Sequence, residues 1–280
     1  LLFGDASLDN AKVDTHWPPM LIKRKSIEKE ESQRAPRKPV YAPINLSEER
    51  GVRYLHFGTQ WIQGAMRIRK PDWIELEYAQ QMMAWMLFIE QPQQIVQLGL
   101  GTGAFTKFCY RQFPAAHVTA IELNPMVITV CRSMFKLPPN DEHLHVVEMD
   151  AMDFVCDDAH YGKIDVLQVD LYDATARGPV LDTPEFYQAC AACLKPHGVL
   201  TVNLFGDHPS YEKNLKAMRF AFDRVLCLPE VSAGNVVAMA FNQAPRLDFS
   251  LLYERAAAIE ESTGLPATSW VNGLKATELG

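Results

Sequence analysis

Apolar and polar positions divide this chain into three stretches. Residues from about 1 to 50 include the run Lys23 to Pro39, which is charged, proline-bearing and without apolar period. Such a segment cannot bury enough apolar surface to offset its ordering, so a flexible or extended N-terminal arm is expected over 1–50. From Val52 to Ile68, Tyr54, Leu55, Phe57, Trp61, Ile62 and Met66 alternate loosely with polar residues and are broken by Gly58 and Gly64. That pattern predicts short strands in a hairpin. Glu75 to Phe88 follows, with Leu76, Met83 and Leu87 along one stripe, and predicts a helix. Residues 51–90 therefore form a small hairpin-plus-helix region.

From residue 91 to 280 the period switches repeatedly between two and about 3.6. Strands are predicted at Ile95–Leu98, Val118–Ile121, Leu144–Val147, Ile164–Val169 and Val199–Leu204. Helices are predicted at Ala104–Gln112, Pro125–Phe135 and Glu185–Leu194, the second with Asn124 as its cap and Pro125 in its first turn. A further helix over Tyr211–Phe222, strands at Arg224–Leu228 and Asn235–Phe241, and a C-terminal helix from Phe249 complete the series. Alternating strands and helices at this spacing build an α/β domain, a mostly parallel sheet with helices on both faces.

Composition changes this picture little. The chain is 48% hydrophobic and 22% charged, as a soluble globular protein is. A net charge of −7 argues against nucleic-acid binding, which favours a basic surface. No apolar run approaches the ~18 residues of a membrane span. The opening Leu1-Leu2-Phe3-Gly4-Asp5 lacks a basic region and a long apolar one, so no signal peptide and a cytoplasmic setting are expected. Of six cysteines, only Cys190 and Cys193 have metal-like spacing; without a second pair they read as two reduced helix cysteines, and no metal is expected.

The chemistry gathers at the strand ends. Gly99, Gly101 and Gly103 in "QLGLGTGAF" stand between a strand and a helix, where glycine permits positive φ and close approach of backbone to a ligand. The third glycine comes one residue too early for a pyrophosphate fingerprint, and position 104 is Ala. Glu122 ends the next strand, where a carboxylate can accept both hydroxyls of a ribose. Asp150, followed by Ala151, ends the third strand, where an acid can accept from an adenine amino group, and Asp170 ends the fourth. Glycines and three acids in this order point to a bound adenosine, because ligands of open α/β sheets lie at that edge.

This series resembles the class I S-adenosylmethionine-dependent methyltransferase fold and, within it, the spermidine synthase (polyamine aminopropyltransferase) family. The family's G-G-G-D-G is similar to Gly99–Gly103, its ribose acid to Glu122 in "IELNP", and its adenine-side Asp to Asp150 in "MDAMDF". Its D-S-x-D-P loop is similar to Asp170-Leu171-Tyr172-Asp173-Ala174, and its L-x-x-x-E-F-Y to "LDTPEFY". "GTQWIQ" resembles the end of the family hairpin with Gln63 in the Gln position, and "IELEYAQQM" keeps Glu75 and Tyr78 of D-E-x-x-Y-H-E-M. The resemblance spans about residues 52–245. It implies transfer of an aminopropyl group from decarboxylated S-adenosylmethionine to a small-molecule amine, with no metal. It further implies that Asp170 takes the amine proton, Asp173 grips a second ammonium and Tyr78 helps hold the attacking nitrogen. A homodimer is implied as well.

Four positions depart from the family. Thr102 replaces the Asp that would bind the aminopropyl ammonium; Ile74, Ala79 and Gln80 replace an Asp, a His and a Glu. Three carboxylates are thereby lost, at 74, 80 and 102, which argues against a standard putrescine acceptor. Arg67, Arg69 and Lys70 also repel cations unless they face solvent. Thr102 suits the carboxylate-bearing tail of intact S-adenosylmethionine better than Asp would, so a methyltransferase on the same scaffold is the alternative reading. A non-catalytic nucleotide-binding protein is the third.

Overall fold

In the computed structural model, residues 41–173 and 178–279 are described. The expected arm therefore lies mostly outside the described residues, but its last part does not. Ile44–Glu49 forms strand β1, paired antiparallel with β2 (Val52–Phe57), which pairs in turn with β3 (Gly64–Arg67). The turn between β1 and β2 is Arg50-Gly51, both at positive φ, the conformation that suits a two-residue hairpin. Charge misled the sequence reading here: five of the six β1 residues are exposed, so no apolar alternation marks this edge strand.

The helix expected over Glu75–Phe88 is broken. Helix α1 covers only Glu77–Gln81, and a 3-10 turn follows at Ala84–Leu87. The carbonyl of Met82 accepts instead from the Gln168 side-chain amide, 3.1 Å away across the core, while Met86 N–H turns to Met83 O. Residues Met82 to Leu87 are buried all round, so the stripe that suggested a continuous helix is not a single face.

The main domain then runs β4 (Gln94–Leu98), α2 (Ala104–Gln112), β5 (His117–Glu122), α3 (Pro125–Met134), β6 (Leu144–Glu148), α4 (Ala151–Cys156) and β7 (Ile164–Val169). It continues with α5 (Pro184–Cys193), β8 (Leu194–Phe205), α6 (Ser210–Ala221), β9 (Arg224–Cys227), β10 (Asn235–Phe241), α7 (Phe249–Thr263) and α8 (Ala267–Leu279). The expected cap of α3 forms: Asn124 Oδ1 accepts from Met126 N–H at 3.0 Å. Two features escaped the pattern. Helix α4 is only six residues long, and the C-terminal helix is two, separated at Gly264, whose φ of +76° ends α7.

The seven strands lie in the order β6-β5-β4-β7-β8-β10-β9. The first five are parallel; β10 is antiparallel to both β8 and β9. One face is covered by α2, α3, α7, α8 and the 3-10 turn, through Phe108, Cys131, Trp85, Ile259 and Trp270. The other is covered by α4, α5 and α6, through Phe154, Phe186, Tyr187 and Met218. Each large apolar side chain so buried contributes about 1.5–3 kcal/mol relative to exposure. From β4 the chain first proceeds to β5 and β6, then returns to β7 on the opposite side. That reversal opens a crevice beyond the carboxyl ends of β4 and β7, the usual ligand position in such sheets.

Candidate active site

The loop after β4 fills this crevice. Gly99, Gly101 and Gly103 all take positive φ (+95°, +52° and +65°), which an L side chain adopts only with strain. At Gly99 the need is also steric, because a Cβ there would overlap the Asp170 carbonyl at the end of β7. The glycines thus let two neighbouring strand ends lie against each other.

Glu122, at the end of β5, ties the same loop down. Its carboxylate accepts from Leu100 N–H at 3.0 Å and from Asn124 N–H at 2.9 Å. Burial raises its pKa, and these backbone bonds oppose the rise. Asp150 caps α4, accepting from Met152 N–H at 2.7 Å, with Ala151 as the first helical residue. Leu123, Met126 and Met149, beside these acids, are exposed apolar side chains.

Asp170 lies just beyond β7 and lines a small, partly open cavity with Tyr78, Gln63, Thr102 and Phe105. Its Oδ1 accepts from Asn203 Nδ2 at 2.9 Å, and its Oδ2 faces Tyr78 Oη at 3.4 Å, a long contact. Burial pushes the Asp170 carboxyl up to about 6, against the opposing pull of the Asn203 and Tyr78 bonds. Burial first, then the charge of Asp170, hold the Tyr78 phenol well above its usual range. Tyr78 therefore keeps its proton and faces Asp170 as a hydrogen-bond donor.

Asn203 escaped the sequence reading. It sits in the buried part of β8 and is itself held from behind: Asn235 Nδ2 donates to its Oδ1 at 3.0 Å, and Tyr172 Oη donates to its carbonyl at 3.2 Å. The signal was present, since an Asn inside "LTVNLF" must find partners when buried. Gln168 was missed for the same reason. It is two residues before Asp170, fully buried, and bonds Gln97 and the Met82 carbonyl at 3.1 Å each.

The hairpin forms the roof. Gln63 Nε2 donates to the Asp173 carbonyl at 3.2 Å, so the Gln63 side chain joins hairpin to loop. Thr102, 2% exposed, donates to Ala65 O at 3.3 Å and packs on Gly64, where a Cβ would meet its side chain at 2.7 Å. Asp173 itself is not on the cavity wall. At the departing positions, Ile74 is fully buried, Ala79 lines the cavity, and Gln80 Nε2 folds back onto the Ile74 carbonyl at 2.9 Å. Among the described residues no cluster of His, Cys, Asp and Glu could hold a metal, and Cys190 and Cys193 are buried with free thiols. No helix among them is long and apolar enough to cross a membrane.

A model of the spermine/spermidine synthase domain matches residues 75–249, which contain the glycine loop and all three strand-end acids. The chain belongs to the spermine/spermidine synthase family. A polyamine aminopropyltransferase of Chromobacterium violaceum is 35% identical over 236 residues, covering 84% of this chain and 90% of that protein. Among solved structures, a probable spermidine synthase from Corynebacterium glutamicum has a TM-score of 0.65 at 17% identity, over 84% of this chain and 92% of that one. Human methyltransferase-like protein 13, in complex with SAH, has a TM-score of 0.59 at 22% identity, over 68% and 93%. The fold is therefore common to this family and to methyltransferase-like proteins.

Proposed function

We propose that this protein transfers an aminopropyl group from decarboxylated S-adenosylmethionine to a small amine. The observation that carries the reading is Asp170, a half-buried carboxylate bonded by Asn203 and facing Tyr78 at the edge of the glycine loop. The sulfonium of such a donor makes its neighbouring carbon electrophilic. The protein has to align amine, carbon and sulfur, and to present the amine uncharged. Alkylammonium groups have pKa values of about 10, so the nitrogen must lose a proton. Asp170 receives it and frees the nitrogen lone pair; as the nitrogen–carbon bond then forms, the carbon–sulfur bond breaks, its electron pair leaving on a neutral thioether.

In the same reading Glu122 holds the ribose hydroxyls and Asp150, with the Ala151 backbone, holds the adenine amino group. Leu123, Met126 and Met149 supply apolar surface for the base. Gln63, Gly99, Gly101, Thr102 and Gly103 shape the path of the donor's tail, and Tyr78 orients Asp170 toward the nitrogen. Asp173 receives no proton in this scheme; it closes the loop through Gln63.

One observation favours the second reading, methyl transfer from intact S-adenosylmethionine. The glycine loop presents Thr102, with no acid to hold an ammonium tail. Calorimetric titration with decarboxylated and with intact S-adenosylmethionine separates the two. Aminopropyl transfer requires tighter binding of the decarboxylated donor; tighter binding of the intact one contradicts it.

A further inference from the structure

Asp170 ends a chain of side-chain bonds whose other members stand off the cavity wall. Asn203 Nδ2 donates to Asp170 Oδ1 at 2.9 Å, and Asn235 Nδ2 donates to Asn203 Oδ1 at 3.0 Å. Asn235 is the half-buried first residue of β10, the strand paired antiparallel with β8, and neither asparagine lines the cavity. Tyr172 holds the same asparagine by its backbone, Oη donating to the Asn203 carbonyl at 3.2 Å, and the Asn235 side chain bonds the Tyr172 phenol as well.

The direction of this chain matters. A carboxylate only accepts, so the end of the Asn203 amide that serves it must be the NH2. The two ends of a carboxamide have nearly the same shape, and packing alone does not choose between them. Water does not choose either, because Asn203 is 2% exposed. Asn235 chooses: turning the Asn203 amide over would set NH2 against NH2 at Asn235 and oxygen against oxygen at Asp170. Both ends would then be buried polar groups without a partner.

The result is an asymmetric carboxylate. Oδ1 is occupied by a good bond, whereas Oδ2 has only the 3.4 Å contact with Tyr78 Oη. Among the described residues the ionisable groups around it are accounted for. Burial first, then the charge of Asp170, hold the phenols of Tyr78 and Tyr172 above their usual range, so both stay protonated. Glu75, on the cavity wall, is bonded by Arg67 at 2.8 Å, and Asp173 is off the wall. Gly99 to Gly103 carry no ionisable side chain.

We propose that Asn235 is a positioning residue for the transfer reaction, fixing the Asn203 amide so that Asp170 Oδ1 stays occupied and Oδ2 takes the proton. This rests on the aminopropyl-transfer reading above. Asn235 touches no reacting atom and acts only through Asn203.

Two variants test it. Asn235→Asp keeps the shape but replaces the donor facing Asn203 Oδ1 with an acceptor, so the Asn203 amide turns its oxygen toward Asp170. Asn235→Ala removes the donor without adding charge, and Asn235→Val takes its place if the alanine variant does not fold by thermal melting. The Asp170 carboxyl is titrated by carbon-13 NMR of aspartate-labelled protein, its signal identified by its loss in Asp170→Asn. The pH dependence of kcat/KM is measured by mass spectrometry with decarboxylated S-adenosylmethionine and 1,4-diaminobutane. Titration and acidic limb are both expected to move upward, by about one pH unit or more in Asn235→Asp and by a smaller step in the neutral variant, because the bond favouring the ionised form is lost. An unmoved titration in the folded neutral variant overturns the proposal even if Asn235→Asp moves, since added charge alone then explains the shift. If the titration moves in both variants but no amine is aminopropylated, the aminopropyl reading fails and the positioning of Asp170 by Asn235 stands.

Discussion

The two halves of the site are made by different means. The edge proposed to hold the donor is built from backbone: three glycines at positive φ, and carboxylates at the ends of β5 and β6 that bond nearby N–H groups. The side proposed to face the acceptor is built from side-chain contacts, three of them across long stretches of sequence: Gln63 to the Asp173 carbonyl, Tyr78 to Asp170 and Gln168 to Met82, with Arg67 to Glu75 nearer by. A backbone site is fixed by fold and tolerates little change. A side-chain site can be retuned one residue at a time, and the departures from the family at 74, 79 and 80 fall there.

The largest effect is expected where the two halves meet. Asp170→Asn keeps the Asn203 contact possible but removes the proton acceptor, so transfer falls by about 10²- to 10⁴-fold while donor binding is retained. The same change should stabilise the fold. The Asp170 pKa is raised from 3.8 to about 6, so the folded state holds its proton more tightly than the unfolded chain does. Stability is therefore lost as pH rises from 3.8 to about 6, and the cost persists at neutral pH. Relieving it is worth on the order of 2 kcal/mol at pH 7, since the carboxylate keeps partial contact with solvent. Chemical denaturation at pH 7 and at pH 4 measures this; an equal effect at both pH values contradicts it.

On the donor edge, Gly99→Ala places a methyl group against the Asp170 carbonyl at a φ of +95°. A loss of stability of about 2–3 kcal/mol is expected, together with loss of donor binding, because loop and β7 must part. A variant that binds donor normally would show that the backbone approach is not required.

Two smaller effects probe the side-chain half. Activity of the wild-type protein should fall as pH drops through about 6, as Asp170 becomes protonated. Asn203→Ala removes a bond that lowers this pKa, so the acidic limb of kcat/KM should move to higher pH; an unmoved limb assigns it to another group. Gln168→Leu frees the Met82 carbonyl and should cost about 1–3 kcal/mol of stability, with a lower kcat through a looser Tyr78. Unchanged kcat in the destabilised variant would separate Gln168 from the site.

Legibility in the sequence follows the same division. The strands, the α3 cap and the strand-end acids were readable, because period, proline placement and glycine chemistry are local. Strand β1 was not, since an exposed edge strand has no apolar alternation. Nor was the break between α1 and the 3-10 turn, because its cause, Gln168, lies 86 residues away. At the site, Asp170, Tyr78, Gln63 and Thr102 line one cavity, while the neutralisation of Glu75 by Arg67 was invisible: charge and spacing alone left Arg67 as a cation of unknown direction. Thr102, singled out as a departure on the donor side, also holds the hairpin through Ala65, a second role that a one-dimensional comparison does not reveal.

The central claim, aminopropyl transfer with Asp170 as proton acceptor, is tested most directly by the mass of the product. The protein is incubated with an amine and an equimolar mixture of decarboxylated and intact S-adenosylmethionine, and the acceptor is analysed by mass spectrometry. The account predicts an acceptor enlarged by one aminopropyl group, and almost none of it with Asp170→Asn. An acceptor enlarged by a methyl group, or an Asp170→Asn protein as active as wild type, would contradict it.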